Sequence, residues 1–216
     1  SSPAGRPPAP ATAPTAALHR ARRAQWSATI EAQGGWKTIG FAEAAAAVAE
    51  VLDESTVVVN EYPLDRRFIG FDRSGAFFGS PHASGLGWGL PAALGVKLGN
   101  PGATVIACLG DGAYLFNEPA ACHFVGRAQG LPVLTVIFNN AQWEAVKSST
   151  AGVHPEGWAT GTGHFPLTSL SPSPRFEEMV KAFDGYGELV DEHAKLGPAL
   201  RRGREAGRAG RQGVIN

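Results

Sequence analysis

The chain has 216 residues, 44% of them hydrophobic, which is enough for one sizeable α/β core. Its 19 Lys and Arg balance 19 Asp and Glu, so no net field draws it toward nucleic acid or an anionic membrane. No apolar run approaches the roughly 20 residues of a membrane span and the N-terminal stretch lacks the apolar core of a signal peptide, which points to a cytoplasmic protein.

Residues 1–16 are rich in Pro and Ala without hydrophobic period and read as a linker, followed by a surface helix over 17–33. We place the folded domain at 34–216, with the first residue a Ser and the closing "GVIN" reading as a strand cut off as it begins. The Ala-rich segment 40–56 predicts a helix ending between Asp53 and Thr56, and "TVVVN" a strand buried on both faces. A Gly-rich turn at Gly85 leads into a helix closed by Asn100-Pro101-Gly102, and "ATVIACLGDG" is a second buried strand that empties into Gly110-Asp111-Gly112. The span 117–130 predicts a helix with Asn117 as its N-cap, "LPVLTVIFNN" a third buried strand, and 141–150 a short helix or turn. Residues 151–174 read as a long irregular loop, 173–190 as a helix with one more strand, and 192–210 as a last, basic helix whose arginines form a solvated face. Cys108 and Cys122 lack metal-type spacing and read as buried free thiols. Strands alternating with helices predict a doubly wound, mainly parallel α/β sheet with helices on both faces and ligands at the carboxyl ends of its strands.

Two of those strand ends carry the chemistry. Asp111 offers a carboxylate, Asn140 an amide carbonyl, and the turn after it free backbone carbonyls: hard oxygen ligands suited to Mg²⁺ with a phosphorylated ligand. Gly110 and Gly112 leave the backbone N–H groups near Ala113 open to a phosphate, and a helix starting after Asn117 adds a favourable dipole. Either turn alone is ordinary turn chemistry; the 29 positions between Asp111 and Asn140 fit one helix and one strand, which return the chain to the neighbouring strand end.

This pairing resembles the thiamine-diphosphate-dependent 2-oxo-acid enzymes, of the acetolactate synthase and benzoylformate decarboxylase type, whose fingerprint is Gly-Asp-Gly followed by Asn-Asn. The resemblance covers roughly 35–150, including "SGLGWGLPAALGVKLGNPGATVIACLGDG", and identifies the family's C-terminal, diphosphate-binding domain. It implies that Asp111, the Asn140 side chain and the Gln142 backbone carbonyl ligate Mg²⁺. It further implies that Leu86 props thiamine in its bent form, that the Ser84 backbone carbonyl accepts from the 4′-amino group with Gly85 also at the cofactor, and that Glu61 to Leu64 lie near the diphosphate. Pro63 and Leu64 stand where benzoylformate-type members carry hydroxyls. Val146 falls where pyruvate decarboxylases carry an acid and where benzoylformate decarboxylase and acetolactate synthase types carry an apolar residue, and Trp143 is either a pocket wall or core. His82, before the glycine-rich turn, is a candidate for proton transfer. The separation of Asp111 from Asn140 is two positions longer than usual, which suggests a divergent branch.

The resemblance therefore implies thiamine diphosphate and Mg²⁺ as cofactors and a 2-oxo acid as substrate. It implies a homodimer or homotetramer in which the site is completed by the pyrimidine-binding domain of a neighbouring subunit, which carries the activating glutamate. Decarboxylation with carboligation is the leading expectation, then simple decarboxylation, then a non-catalytic cofactor-binding module. A Rossmann dinucleotide site is disfavoured because "GLGWG" lacks the third spaced glycine and the downstream acid.

Overall fold

Four runs of β-branched and apolar residues and two short edge strands make the sheet in the computed structural model, which describes residues 13–71, 73–79 and 85–216. These are β1 (Thr56–Glu61), β2 (Phe77–Gly79), β3 (Thr104–Gly110), β4 (Leu134–Phe138), β5 (Tyr186–Glu188) and β6 (Gly213–Ile215), in the spatial order β2-β1-β3-β4-β6-β5. Every pairing is parallel. All six residues of β1 and all five of β4 are buried, because helices cover both faces of the sheet.

Alternate strand residues divide between two cores. Val57, Val59, Val105, Ala107, Leu109 and Ile137 pack on one face against α3 (Gly89–Gly99), α5 (Pro119–Ala128) and α8 (Phe176–Met179). Val58, Ile106, Cys108, Leu134 and Val136 face the other way, toward α2 (Phe41–Glu50) and α9 (His193–Arg208). Cys108 and Cys122 are buried free thiols, and burial pushes Cys108 up to about 12.

Several expected boundaries move. Helix α1 runs Ala13–Gly34, starting earlier than 17, and α2 ends at Glu50, short of Asp53, although Val51 just beyond it is still buried. The span 151–174 is not wholly irregular: α6 (Glu144–Val153) continues into it and α7 (Trp158–Thr162) lies within it. Asn117 caps no helix start; it closes α4 (Asp111–Phe116), a separate short helix that begins at the strand end itself, and Glu118 precedes α5 in a left-handed conformation. The arginine face of α9 is only partly solvated, since Arg202 pairs with Glu188 and Arg204 with Asp53. Among the described residues no helix is long and apolar enough to cross a membrane.

One contact between α2 and α9 is pH-dependent. His193 Nδ1 lies 2.7 Å from Glu43 Oε1, and its Nε2 lies 2.9 Å from the Trp36 carbonyl. Both partners are acceptors, so both ring nitrogens donate and the imidazolium is favoured. The Glu43 hydrogen bond, with a smaller contribution from the Trp36 carbonyl, raises the His193 pKa above 6.5 despite partial burial. A raised folded-state pKa gives stability that is fully present below the unfolded value and is lost as pH rises through the folded one. Urea midpoints measured between about pH 6 and pH 9 should therefore fall further for the wild type than for His193→Gln.

Candidate functional site

The strand order reverses between β1 and β3, because the chain leaves β1 toward β2 on one side and returns to β3 on the other. Ligands in such sheets bind outside the carboxyl ends of the strands at this reversal. Glu61 pairs with Leu109, and Gly110 pairs with Phe138 one strand further on. The register thus sets Asp111, the residue after Gly110, opposite the residues that follow Phe138, and this explains why Asp111 and the Asn139-Asn140 pair meet despite their separation in sequence.

Asp111 is 4% exposed. Its Oδ1 accepts from its neighbour Gly112 N–H at 2.8 Å, while Oδ2 is buried with no hydrogen-bond partner. Burial raises its pKa, opposed by the N–H groups of Gly112, Gln142, Ala141 and Asn140. A buried acceptor left without a partner is expensive in isolation, so this atom reads as one end of a ligand set.

The facing turn is held from several sides. Asn139 Oδ1 accepts from Ala141 N–H at 3.0 Å and Asn140 Oδ1 from Gln142 N–H at 3.1 Å, two consecutive Asx turns that carry Ala141 to φ 54°. Asn139 Nδ2 donates to Ser173 Oγ and to Asn216 Oδ1, and Asn216 in turn donates to the buried carboxylate of Glu177. Trp143 N–H donates to the Thr168 carbonyl at 2.7 Å, and Leu170 N–H to the Ala141 carbonyl at 2.7 Å. The Gln142 carbonyl accepts from Glu144 N–H, which leaves it a second lone pair.

Gly112 lies directly under Trp143: a Cβ there would sit 2.3 Å from the indole ring, which also meets Phe116 edge-on at 5.4 Å. Trp143 is thus packed against α4, which ties the helix start to the Asn140 turn. Above Gly110, by contrast, a Cβ would meet nothing, and the space over the strand end is open.

On the β1 side, Glu61 is 1% exposed and both its carboxylate oxygens are bonded within the protein. Oε1 accepts from Gly87 N–H and Oε2 from Gly89 N–H, both at 2.6 Å, and Oε2 also accepts from Asn117 Nδ2 at 3.0 Å. Sequence reasoning could place Glu61 at the strand end but could not see that it faces the protein. Leu86, in the turn Glu61 holds, is 41% exposed, and Val146, on α6, is 53% exposed. Gly85 precedes Leu86, and a Cβ there would meet nothing among the described residues. Ser84 and His82 lie outside the described residues. His164, in the loop region, packs edge-on against Trp158.

Sequence reasoning also missed Asn117, whose side chain bridges three elements. Its Oδ1 accepts from Leu90 N–H at 2.7 Å, and its Nδ2 donates to the Ala113 carbonyl as well as to Glu61. Its signal in the sequence was only that of an N-cap two positions before Pro119, which says nothing of these contacts.

The donor set fits Mg²⁺: a carboxylate oxygen with no protein partner, an amide oxygen and a backbone carbonyl, with room for ligand oxygens over Gly110. Among the described residues no group of three His, Cys, Asp or Glu side chains gathers to hold a metal, so a set built on amide and backbone oxygens is the one available here.

Comparisons with known proteins identify the family and the fold. The family described as "Thiamine pyrophosphate enzyme, C-terminal TPP binding domain" matches residues 64–210, starting later and running further than the segment that carries the resemblance in sequence. A probable acetolactate synthase of Mycobacterium bovis is 32% identical over 117 residues, 54% of this chain and 20% of that protein. A sulfoacetaldehyde acetyltransferase of Alcaligenes xylosoxydans xylosoxydans is 28% identical over 148 residues, 68% of this chain and 23% of that protein. The chain therefore spans about a fifth of the length of these relatives. A thiamine diphosphate-dependent 4-hydroxybenzoylformate decarboxylase of Rhodococcus jostii superposes with a TM-score of 0.69 at 22% identity, over 83% of this chain and 32% of that one, which establishes the fold. With two thirds of its length matched and the paired strand ends in place, the chain belongs to the C-terminal, thiamine-pyrophosphate-binding domain family of the thiamine pyrophosphate enzymes.

Proposed function

We propose that this chain forms the diphosphate- and Mg²⁺-binding half of the active site of a thiamine-diphosphate-dependent enzyme that acts on 2-oxo acids by decarboxylation with carboligation, in the manner of acetolactate synthase. The observation that carries the reading is the buried, unpartnered Oδ2 of Asp111 facing the Asn140 turn. In this reading Asp111, Asn140 Oδ1 and the Gln142 carbonyl would hold the ion, and the open space over Gly110 would receive the ligand oxygens. Leu86 presents an apolar side chain to the thiamine rings. When bound, thiamine diphosphate supplies the carbanion stabilisation that allows a carbon–carbon bond beside a carbonyl to be broken or made. The chain's own contribution is to anchor, orient and partly desolvate that group.

Carboligation is supported by the relatives, which include an acetolactate synthase and an acetyltransferase. Val146, exposed on α6, offers no acid where pyruvate decarboxylases carry one, which counts against a simple pyruvate decarboxylase. A benzoylformate-type decarboxylase is the second reading, supported by Asn60-Glu61 at the end of β1. The partly exposed apolar side chains at the carboxyl rim, Tyr62, Leu86, Phe116 and Val146, support completion of the site by the pyrimidine-binding domain of a neighbouring subunit in a homodimer or homotetramer. A non-catalytic binding module is disfavoured by the intact Asp111 and Asn140.

The test is calorimetric titration of the chain with thiamine diphosphate, with Mg²⁺ and then with EDTA. Saturable binding that the chelator removes is the expected result. Equal binding with and without the ion, or none at millimolar cofactor, counts against the assignment.

A further inference from the structure

Helix α3 begins at Gly89 without a local cap, since Trp88 makes no side-chain capping bond. Its first donors are satisfied from elsewhere. Glu61, at the end of β1, takes Gly89 N–H at 2.6 Å, and Asn117, at the end of α4, takes Leu90 N–H at 2.7 Å. Glu61 also takes Gly87 N–H at 2.6 Å, and the two side chains bond each other at 3.0 Å. Both are nearly inaccessible, at 1% and 2% exposure. The backbone packs as closely as the side chains. A Cβ on Gly87, whose φ is 101°, would lie 2.4 Å from the Phe116 carbonyl oxygen, and one on Gly89 would lie 2.6 Å from Leu109 and 2.8 Å from Glu61 Oε2.

These contacts join two pieces with no covalent reason to move together: the turn that carries Leu86 and the short helix that starts at Asp111. They also leave the start of α3 without free donors, because a carboxylate already occupies the place an anionic ligand would take. We infer that Glu61 and Asn117 are positioning residues that lock the Leu86 turn to the Asp111 helix, fixing the ring-binding and diphosphate-binding halves of the cradle relative to one another, and that Glu61 does not touch the diphosphate. The inference rests on the reading of this site as a thiamine diphosphate cradle. It replaces the expected place of Glu61 beside the phosphates with a place beneath the turn.

Two ligands separate positioning from contact. Thiamine diphosphate uses both halves of the cradle, whereas inorganic pyrophosphate uses only the Asp111 half. Each is titrated into the chain at saturating Mg²⁺, using wild type, Glu61→Gln and Asn117→Ser. Glu61→Gln keeps the shape but turns one acceptor oxygen into a donor that faces backbone N–H groups. We expect either substitution to weaken thiamine diphosphate about tenfold or more, the scale of one charge-assisted hydrogen bond, and to leave inorganic pyrophosphate within about twofold. Hydrogen exchange at the Gly87 and Gly89 amides, followed by NMR without ligand, should accelerate in both variants. Equal weakening of the two ligands by Glu61→Gln would mean that Glu61 contacts the diphosphate and would overturn the inference, as would unchanged affinity for both. If wild type binds neither ligand, it is the cofactor reading that fails. The exchange data then decide the lock alone, and unchanged Gly87 and Gly89 rates would refute it.

Discussion

Asp111→Asn should abolish Mg²⁺-dependent binding of thiamine diphosphate while leaving the ion-free protein as stable as before, or more so. The two halves of this expectation have one cause. The Asp111 carboxylate is 4% exposed, and burial raises its pKa against the pull of four nearby N–H groups, so the folded chain holds a desolvated charge that the protein does not fully compensate. Its Oδ2 has no partner. An amide of the same shape keeps the Gly112 contact through its oxygen and is far easier to desolvate than a carboxylate. It also lacks the charge that makes an oxygen a strong Mg²⁺ ligand. The loss of cofactor affinity should therefore exceed the roughly 10–100-fold that follows loss of a group merely supporting a ligand. Denaturant titrations without ions, and calorimetry with Mg²⁺, measure the two halves separately. A variant that is clearly less stable without ions, yet binds as before, would mean that Asp111 is a structural residue.

The paired motif was legible in the sequence because its logic is local at each end and topological between them. A β-branched run announces a buried strand, a Gly or Asn turn announces its end, and the separation of 29 positions leaves room for little besides a return crossover. What lay hidden was the direction of side chains at those ends. A glutamate closing a strand looks the same whether it faces a ligand or the backbone of a helix 28 residues later, and only the tertiary contact with Gly89 decides. Asn117 misled for the same reason. Its preference for helix starts is genuine, but α4 had already begun at Asp111 and left Asn117 at its end. The edge strand β2, three residues long and partly exposed, and the five-residue α7 in a polar stretch carry too little periodicity to be read. Gly112 was read as room for a phosphate, whereas a Cβ there would meet a tryptophan 31 positions away.

That last contact yields the second large effect. In an ordinary helix, Gly→Ala stabilises by up to about 1 kcal/mol through propensity. At Gly112 the sign should reverse. The new methyl would sit 2.3 Å from one indole carbon of Trp143 and 2.4 Å from another, so the ring must leave its place against Phe116 or α4 must shift. Overpacking of this kind costs about 1–3 kcal/mol, which outweighs the helical gain. The displaced ring takes its backbone with it: Trp143 follows Gln142, whose carbonyl belongs to the proposed ligand set, and its N–H is bonded to the Thr168 carbonyl. Gly112→Ala should therefore lower both the unfolding midpoint and the affinity for thiamine diphosphate with Mg²⁺. A double-mutant cycle isolates the cause. With Trp143→Ala already in place the methyl has room, so adding Gly112→Ala should be neutral or stabilising, with a coupling energy of at least about 1 kcal/mol. If the two substitutions add without coupling, the glycine answers to something other than the indole, and the Asn140 turn is not tied to α4 through Trp143.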